Sequence, residues 1–107
     1  MVAPRRFEVF LVPLDPTRGA EMQKTRPCVI VSPDEANDVL HTVVVIPLSS
    51  TVHGFPGRVR VRSQERDGEL ATDQIRVVDK RRLLRRLGTL PSETRPKLVK
   101  ALLEFFR

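Results

Sequence analysis

The stretch Leu14-Asp15-Pro16-Thr17-Arg18-Gly19-Ala20-Glu21, followed at once by Lys24-Thr25-Arg26-Pro27, separates two apolar runs, residues 7–14 and 28–31. Proline and glycine inside a polar segment mark a turn, and β-branched and aromatic residues on either side mark strands. The segment reads as a hairpin loop closing on an arginine whose direction is set by the proline behind it. A guanidinium stays charged at any physiological pH and presents five donors in a flat fork suited to phosphate. Arg26 is therefore a candidate phosphate-reading group at the mouth of a small β domain. The plain alternative is an exposed arginine in a long hairpin loop.

Outward from this hairpin the pattern stays β-rich. Val29-Ile30-Val31 is wholly apolar between Pro27 and Pro33, and residues 42–46 are β-branched up to Pro47. Val59 and Val61 alternate with Arg58, Arg60 and Arg62, a period of two with one basic face. Residues 64–68 read as a charged turn closed by Gly68, and residues 70–78 as a further strand. Five or six short strands broken by such turns predict a small barrel or a strongly coiled sheet. The C-terminus differs. Residues 91–94 offer capping groups, Pro96 fits only a first turn, and Leu98, Val99, Leu102, Leu103, Phe105 and Phe106 recur at helical spacing. Residues 80–87 allow either a basic amphipathic helix or a turn followed by a short strand.

With 107 residues, the chain fits one domain, expected to span residues 1–107. A chain this size buries roughly two-thirds of its unfolded surface. The net charge of +6 favours a polyanionic or acidic partner. Ten Arg or Lys against five Asp or Glu place +5 of it between residues 58 and 86. This basic run reads as contact with the phosphates of a polyanion, as docking of an acidic protein tail, or as a solvated face. With no Trp or Tyr, base stacking would fall to the five Phe, the two His or arginine planes. Cys28 is the only cysteine, which excludes an intramolecular disulfide and a cysteine-cluster metal site, and it reads as buried packing. No basic-then-apolar leader and no apolar run near 18 residues occurs, so a cytoplasmic protein with no membrane span is expected.

Five motifs then fall into one order: Leu14 to Gly19 with Glu21; Lys24-Thr25-Arg26-Pro27 running into Val29-Ile30-Val31-Ser32-Pro33; Pro47-Leu48-Ser49-Ser50; Asp73-Gln74-Ile75-Arg76; and Val78-Asp79-Lys80-Arg81-Arg82-Leu83. Together they resemble the MazF/PemK family of toxin–antitoxin endoribonucleases, and they span nearly the whole chain. The resemblance implies a mainly β fold, a small SH3-like β-barrel (the plasmid-maintenance toxin fold of CcdB, Kid and MazF type) with a C-terminal α-helix. It also implies a homodimer, an acidic MazE-like antitoxin and metal-independent cutting of single-stranded RNA at short sequences. No cofactor is expected, and the products would carry 2′,3′-cyclic phosphate and 5′-hydroxyl ends.

The chemistry of the residues agrees. Cutting RNA by its own 2′-hydroxyl needs a proton acceptor, a donor to the leaving 5′-oxygen and positive charge at phosphorus. Arg26 can supply the charge through bidentate donors. Ser49 stands where the family usually carries a catalytic threonine and keeps the hydroxyl. Glu21 and Asp73 are the carboxylates at motif positions, either of which could orient Arg26 or accept a proton, or simply form ion pairs. Some relatives carry a histidine just after the turn glycine, where this chain has Ala20, so a mechanism using that histidine is excluded here. Thr17, Lys24, Ser50, His53, Phe55, Gln74 and Arg76 are the remaining candidate RNA contacts. His53 reads either as a solvated loop residue or as a substrate contact, with Phe55 able to stack a base. His41 carries no functional expectation. Phe7 stands where many relatives have glycine before the first strand. Two rival readings are a gyrase-poisoning toxin on the same fold and a catalytically inactive RNA-binding relative.

Overall fold

Proline and valine positions set where the chain turns, and the computed structural model, which describes residues 2–63 and 66–107, shows the result. Among these residues the elements are β1 (Glu8–Pro13), β2 (Thr25–Ile30), α1 (Asp34–Val39), β3 (Thr42–Ser49), β4 (Val59–Ser63), β5 (Arg66–Leu70), β6 (Arg76–Asp79), β7 (Arg85–Thr89) and α2 (Arg95–Phe105). Short 3-10 turns, Thr72–Gln74 and Lys80–Arg82, precede and follow β6. All strand pairs are antiparallel. The order across the sheet is β4-β5-β3-β2-β1-β7, with β6 also beside β3.

The curl comes from β3. On one side it runs along β2; on the other its first half pairs β6, from Thr42 opposite Asp79 to Val45 opposite Arg76. Its last two residues pair β5 instead, Leu48 with Leu70 and Ser49 with Glu69. One strand thus serves two neighbours in turn, and the sheet bends into a half-barrel.

Side chains alternate across a strand, so a run apolar at every position must be covered on both faces. That is the case for β2. Val29 joins Val31, Ile46, Val59, Val61, Leu70, Leu90 and Leu98 in one core, while Cys28 and Ile30 join Val12, Leu14, Val43, Val45 and Val78 in a second. The first is closed by α2, through Leu98, Ala101 and Leu102. The second is closed by Met22 from the β1–β2 loop and by Leu83.

Several expectations are corrected by the structure. The charged turn at residues 64–68 is not closed by Gly68: this glycine pairs with Val61 inside the β4–β5 hairpin, and Gln64 and Glu65 lie outside the described residues. Residues 70–78 are not one strand, because the chain turns at Thr72–Gln74, where the amides of Gln74 and Ile75 bond back to Ala71 and Thr72. Helix α1 was not expected. Its signal was present in Pro33 followed by the acidic pair Asp34 and Glu35, the charge a helix N-terminus favours. The buried Asn37 ties it down, its amide donating to the carbonyls of Pro4 (3.1 Å) and Ser32 (3.0 Å). Residues 80–87 take the turn-and-strand alternative. Phe7 adopts φ +73°, a left-handed backbone that a bulky residue rarely takes. Its amide donates to Ile30 and its carbonyl accepts from Leu90, and the guanidinium groups of Arg6 and Arg95 lie over its ring.

Candidate active site

The first hairpin and the end of β3 bring Arg26 and Ser49 to one cavity. Cys28 lies opposite Pro47 in the β2–β3 ladder. Continuing that register by two residues puts Arg26 opposite Ser49. Both line one cavity of about 580 Å3, together with Lys24, Thr25, Ser50 and Gly68. Arg26 is half-buried; its Nε donates to the Gln23 carbonyl at 2.9 Å, and its Nη atoms make no ion pair or hydrogen bond among the described residues. Among the described residues, the four N–H donors on the two Nη atoms are thus open to an anion. The Ser49 hydroxyl is buried and closed on its own turn, donating to the Thr51 carbonyl (2.9 Å) and accepting from the Thr51 amide (3.2 Å). Donation from Ser49 to a substrate oxygen would replace the bond to Thr51.

A second, smaller cavity of about 220 Å3 gathers Glu21, Met22, Asp73, Gln74 and Arg76. The motif residues therefore divide between two sites. Glu21 accepts from the Arg18 amide at 2.7 Å and closes a turn of the β1–β2 loop. Gln74 accepts from the Met22 amide, and Arg76 donates to the Leu14 carbonyl, so both hold that loop. Arg82 reaches the same loop through the carbonyls of Pro13 and Asp15. Thr17 lines neither cavity.

Asp73 does not pair with Arg26. Its two oxygens accept from Arg58 Nε (2.8 Å) and Nη2 (3.1 Å). These bonds hold its carboxyl below the usual aspartate range despite some burial. Glu69, buried beside it, accepts from Arg58 Nη1 at 2.8 Å and from the Gly54 amide at 3.2 Å. Burial alone would raise its pKa. The Arg58 bond and the backbone amides of Gly54 and His53 outweigh it and hold the group ionised. Arg58 is correspondingly locked in its charged form, chiefly by Asp73.

Two residues of this region were misread or missed in the sequence. Arg58 belongs to no exposed basic face: its side chain is 7% exposed. Glu69 was not singled out at all. The signal that could have found it is the alternation of Asp67 and Glu69 opposite the alternating arginines, the pattern of facing strands with opposite charge. The basic run at residues 80–86 stays largely at the surface: Arg81 pairs with Asp79 and Arg86 with Glu8, and Arg81, Arg85 and Arg86 are exposed. His53 and Phe55 lie exposed in the β3–β4 loop, their rings parallel and 4.9 Å apart. Burial pushes the Cys28 thiol up to about 12, against the opposing charges of Arg76 and Arg26, so this sulfur is no nucleophile. No group of three or more His, Cys, Asp or Glu side chains placed to hold a metal ion occurs among the described residues. No helix among them is long and apolar enough to cross a membrane.

The fold and site define a class: a basic half-barrel domain whose first hairpin and third strand bring an arginine and a serine hydroxyl to one cavity. Comparison with known proteins sharpens it. Residues 5–106 match the family model described as PemK-like, MazF-like toxin of type II toxin–antitoxin systems. The chain is 32% identical over 75 residues, 70% of its length and 68% of the relative's, to the Endoribonuclease toxin MazF of Escherichia coli K12. In three dimensions it resembles MazF from Deinococcus radiodurans, with TM-score 0.86, 23% identity and coverage of 97% and 96% of the two chains. It also resembles an endoribonuclease solved in complex with its cognate antitoxin from a mycobacterial species, with TM-score 0.82, 26% identity and coverage of 97% and 95%. The chain belongs to the PemK-like, MazF-like family of type II toxins. Its SH3-like half-barrel with a C-terminal helix is the fold of that family.

Proposed function

We propose that this chain is a single-domain toxin, spanning residues 1–107, that cuts single-stranded RNA at a short sequence without a metal ion. The observation that carries the reading is the meeting of Arg26 and Ser49 in one cavity, with both Nη atoms of Arg26 unengaged among the described residues. The 2′-oxygen of the nucleotide attacks the adjacent phosphorus and gives up its proton. The bond from phosphorus to the 5′-oxygen breaks, and that oxygen takes up a proton. The products are a 2′,3′-cyclic phosphate and a 5′-hydroxyl. Negative charge grows on the non-bridging oxygens, which Arg26 meets with paired donors. Ser49 supplies a hydroxyl to the reacting phosphate.

Lys24 and Ser50 share that cavity and bind the adjoining backbone. Glu21, Asp73, Gln74 and Arg76 line the second cavity, where Arg76 and Gln74 can meet a neighbouring nucleotide. His53 and Phe55 contact RNA from the β3–β4 loop, and Thr17 contacts it from the β1–β2 loop. The protein works in the cytoplasm as a homodimer, restrained by an acidic MazE-like antitoxin. Support for that partner comes from the solved relative that holds its cognate antitoxin.

The test is incubation with a long single-stranded RNA in excess EDTA, followed by mapping of fragment ends. Discrete cuts at one recurring sequence with 5′-hydroxyl ends are expected. Intact RNA from a folded protein would overturn the reading.

A further inference from the structure

Residues 51–57 form an exposed loop, and such loops are ordinarily mobile and costly to order on binding. This one is fixed from beneath. The Gly54 amide donates to the buried Glu69, and the Thr72 hydroxyl donates to the Gly57 carbonyl at 2.7 Å. The Arg58 amide donates to the Phe55 carbonyl at 3.2 Å. Above these anchors the planar groups assemble. His53 and Phe55 are stacked at 4.9 Å with 4° between their planes, and the Arg58 guanidinium carbon lies 4.8 Å from the Phe55 centroid. The guanidinium is itself gripped by Glu69 and Asp73. Phe55 nevertheless remains 51% exposed.

A buried ion pair is a poor device for stability alone, since desolvating both charges offsets much of their attraction. Here it has a second consequence. One carboxylate, Glu69, touches both the backbone of the loop and the cation beside its aromatic ring. We propose that Glu69, acting through Gly54 and Arg58, is a positioning residue for RNA binding: it holds the His53–Phe55 pair as a preformed platform on which an unpaired nucleobase stacks. Glu69 lies outside every motif that carries the family resemblance. The proposal rests on the RNA-cutting reading for the identity of the ligand. Every nucleobase offers a flat face, so such a platform adds affinity with little sequence preference. A buried carboxylate that fixes it beforehand lowers the ordering cost at the moment of binding.

The experiment is fluorescence anisotropy with a labelled, fully 2′-O-methylated single-stranded RNA pool of random sequence. This probe lacks the attacking hydroxyl and reports binding without cleavage. His53→Ala and Phe55→Ala, both at exposed positions, each weaken binding about 5- to 100-fold. Glu69→Gln weakens it about 3- to 10-fold and speeds hydrogen exchange at the Gly54 amide. In the double variant H53A/F55A, E69Q weakens binding no further, because both rings through which Glu69 acts are already gone. Should E69Q fail to fold, Arg58→Lys, which keeps the charge and loses the fork, must show the same non-additivity. Losses that simply add, or wild-type affinity in these variants, overturn the proposal. Cleavage of unmodified RNA is scored separately. RNA that is cut while all these variants bind normally removes the platform and keeps the nuclease; a pool bound through His53, Phe55 and Glu69 by a protein that cuts nothing does the reverse.

Discussion

Gly68 lies against the carbonyl of Ser49: a β-carbon at residue 68 would stand 2.8 Å from that oxygen. The obstacle is backbone, which no side-chain rotation relieves. Gly68 is therefore what lets the end of β3 cross β5 closely enough to deliver the Ser49 hydroxyl to the cavity. Gly68→Ala should cost about 1–3 kcal/mol, the usual range for overpacking a tight site, and should slow RNA cutting by shifting Ser49. Unfolding by urea measures the first and end-mapped cleavage the second. Unchanged values in both would show that β3 has room to move.

Arg26 separates catalysis from folding. It is half-buried, and among the described residues its side chain makes one hydrogen bond, to Gln23. Arg26→Ala should leave the melting temperature close to that of the parent while lowering cleavage by about 100- to 1000-fold, the scale for losing one preorganised charge donor. Arg26→Lys should recover little, because an ammonium keeps the charge without the paired donors. Full activity in the alanine variant would remove Arg26 from the mechanism.

The Glu69–Arg58–Asp73 cluster sets an acid limb on stability. Both carboxyls are held below their ordinary values of 4.5 and 3.8 in the folded chain. A lowered folded-state pKa stabilises above the ordinary value, and the gain is lost as pH falls through the folded one. Asp73 contributes the less, since 39% of its side chain meets solvent, against 2% for Glu69. Arg58→Met, which strands Glu69, should cost about 3 kcal/mol at pH 7, and the gap to the parent should narrow below about pH 4, close to the ordinary carboxyl values. Paired urea titrations at pH 7 and pH 3.5 check this. A constant gap would mean that the loss comes from packing.

What could be read from the sequence follows from how local its cause was. The first hairpin was legible because Pro16 and Pro27 restrict the backbone on their own and Gly19 permits the left-handed angle a turn needs, and α2 because its apolar stripe repeats over three turns. The ordered motifs carried the half-barrel and the choice of Arg26 and Ser49, which line one cavity. Gly68 misled, since a glycine accommodating a crossing strand looks the same in sequence as one closing a turn. Glu69 and Arg58 were hidden for a related reason. A charged residue alternating with apolar ones reads as solvent-facing, and only the loop of residues 51–57, folding back over that face, makes it buried. Long-range cover of this kind leaves no periodic trace. The division of Glu21 and Asp73 from Arg26 into separate cavities is also a product of the curl of the sheet.

Lys24 stands at φ +70°, where its β-carbon crowds the neighbouring carbonyl, and Gly would adopt that angle freely. The strain is held in place because the Lys24 carbonyl accepts from the Leu14 amide at 3.0 Å, closing the loop just before Arg26. Removing the β-carbon should relieve about 1–2 kcal/mol in the folded state and return part of it through the greater freedom of glycine in the unfolded chain. Lys24→Gly should therefore raise stability by about 0.5–1 kcal/mol while weakening RNA binding, since one cation of the Arg26 cavity is lost. The two effects separate by salt: the affinity deficit should shrink as ionic strength rises, because a lysine–phosphate contact releases a counterion and that gain fades in salt, whereas the gain in stability should persist. A destabilised variant would mean that the lysine stem packs against the cavity wall strongly enough to outweigh the strain.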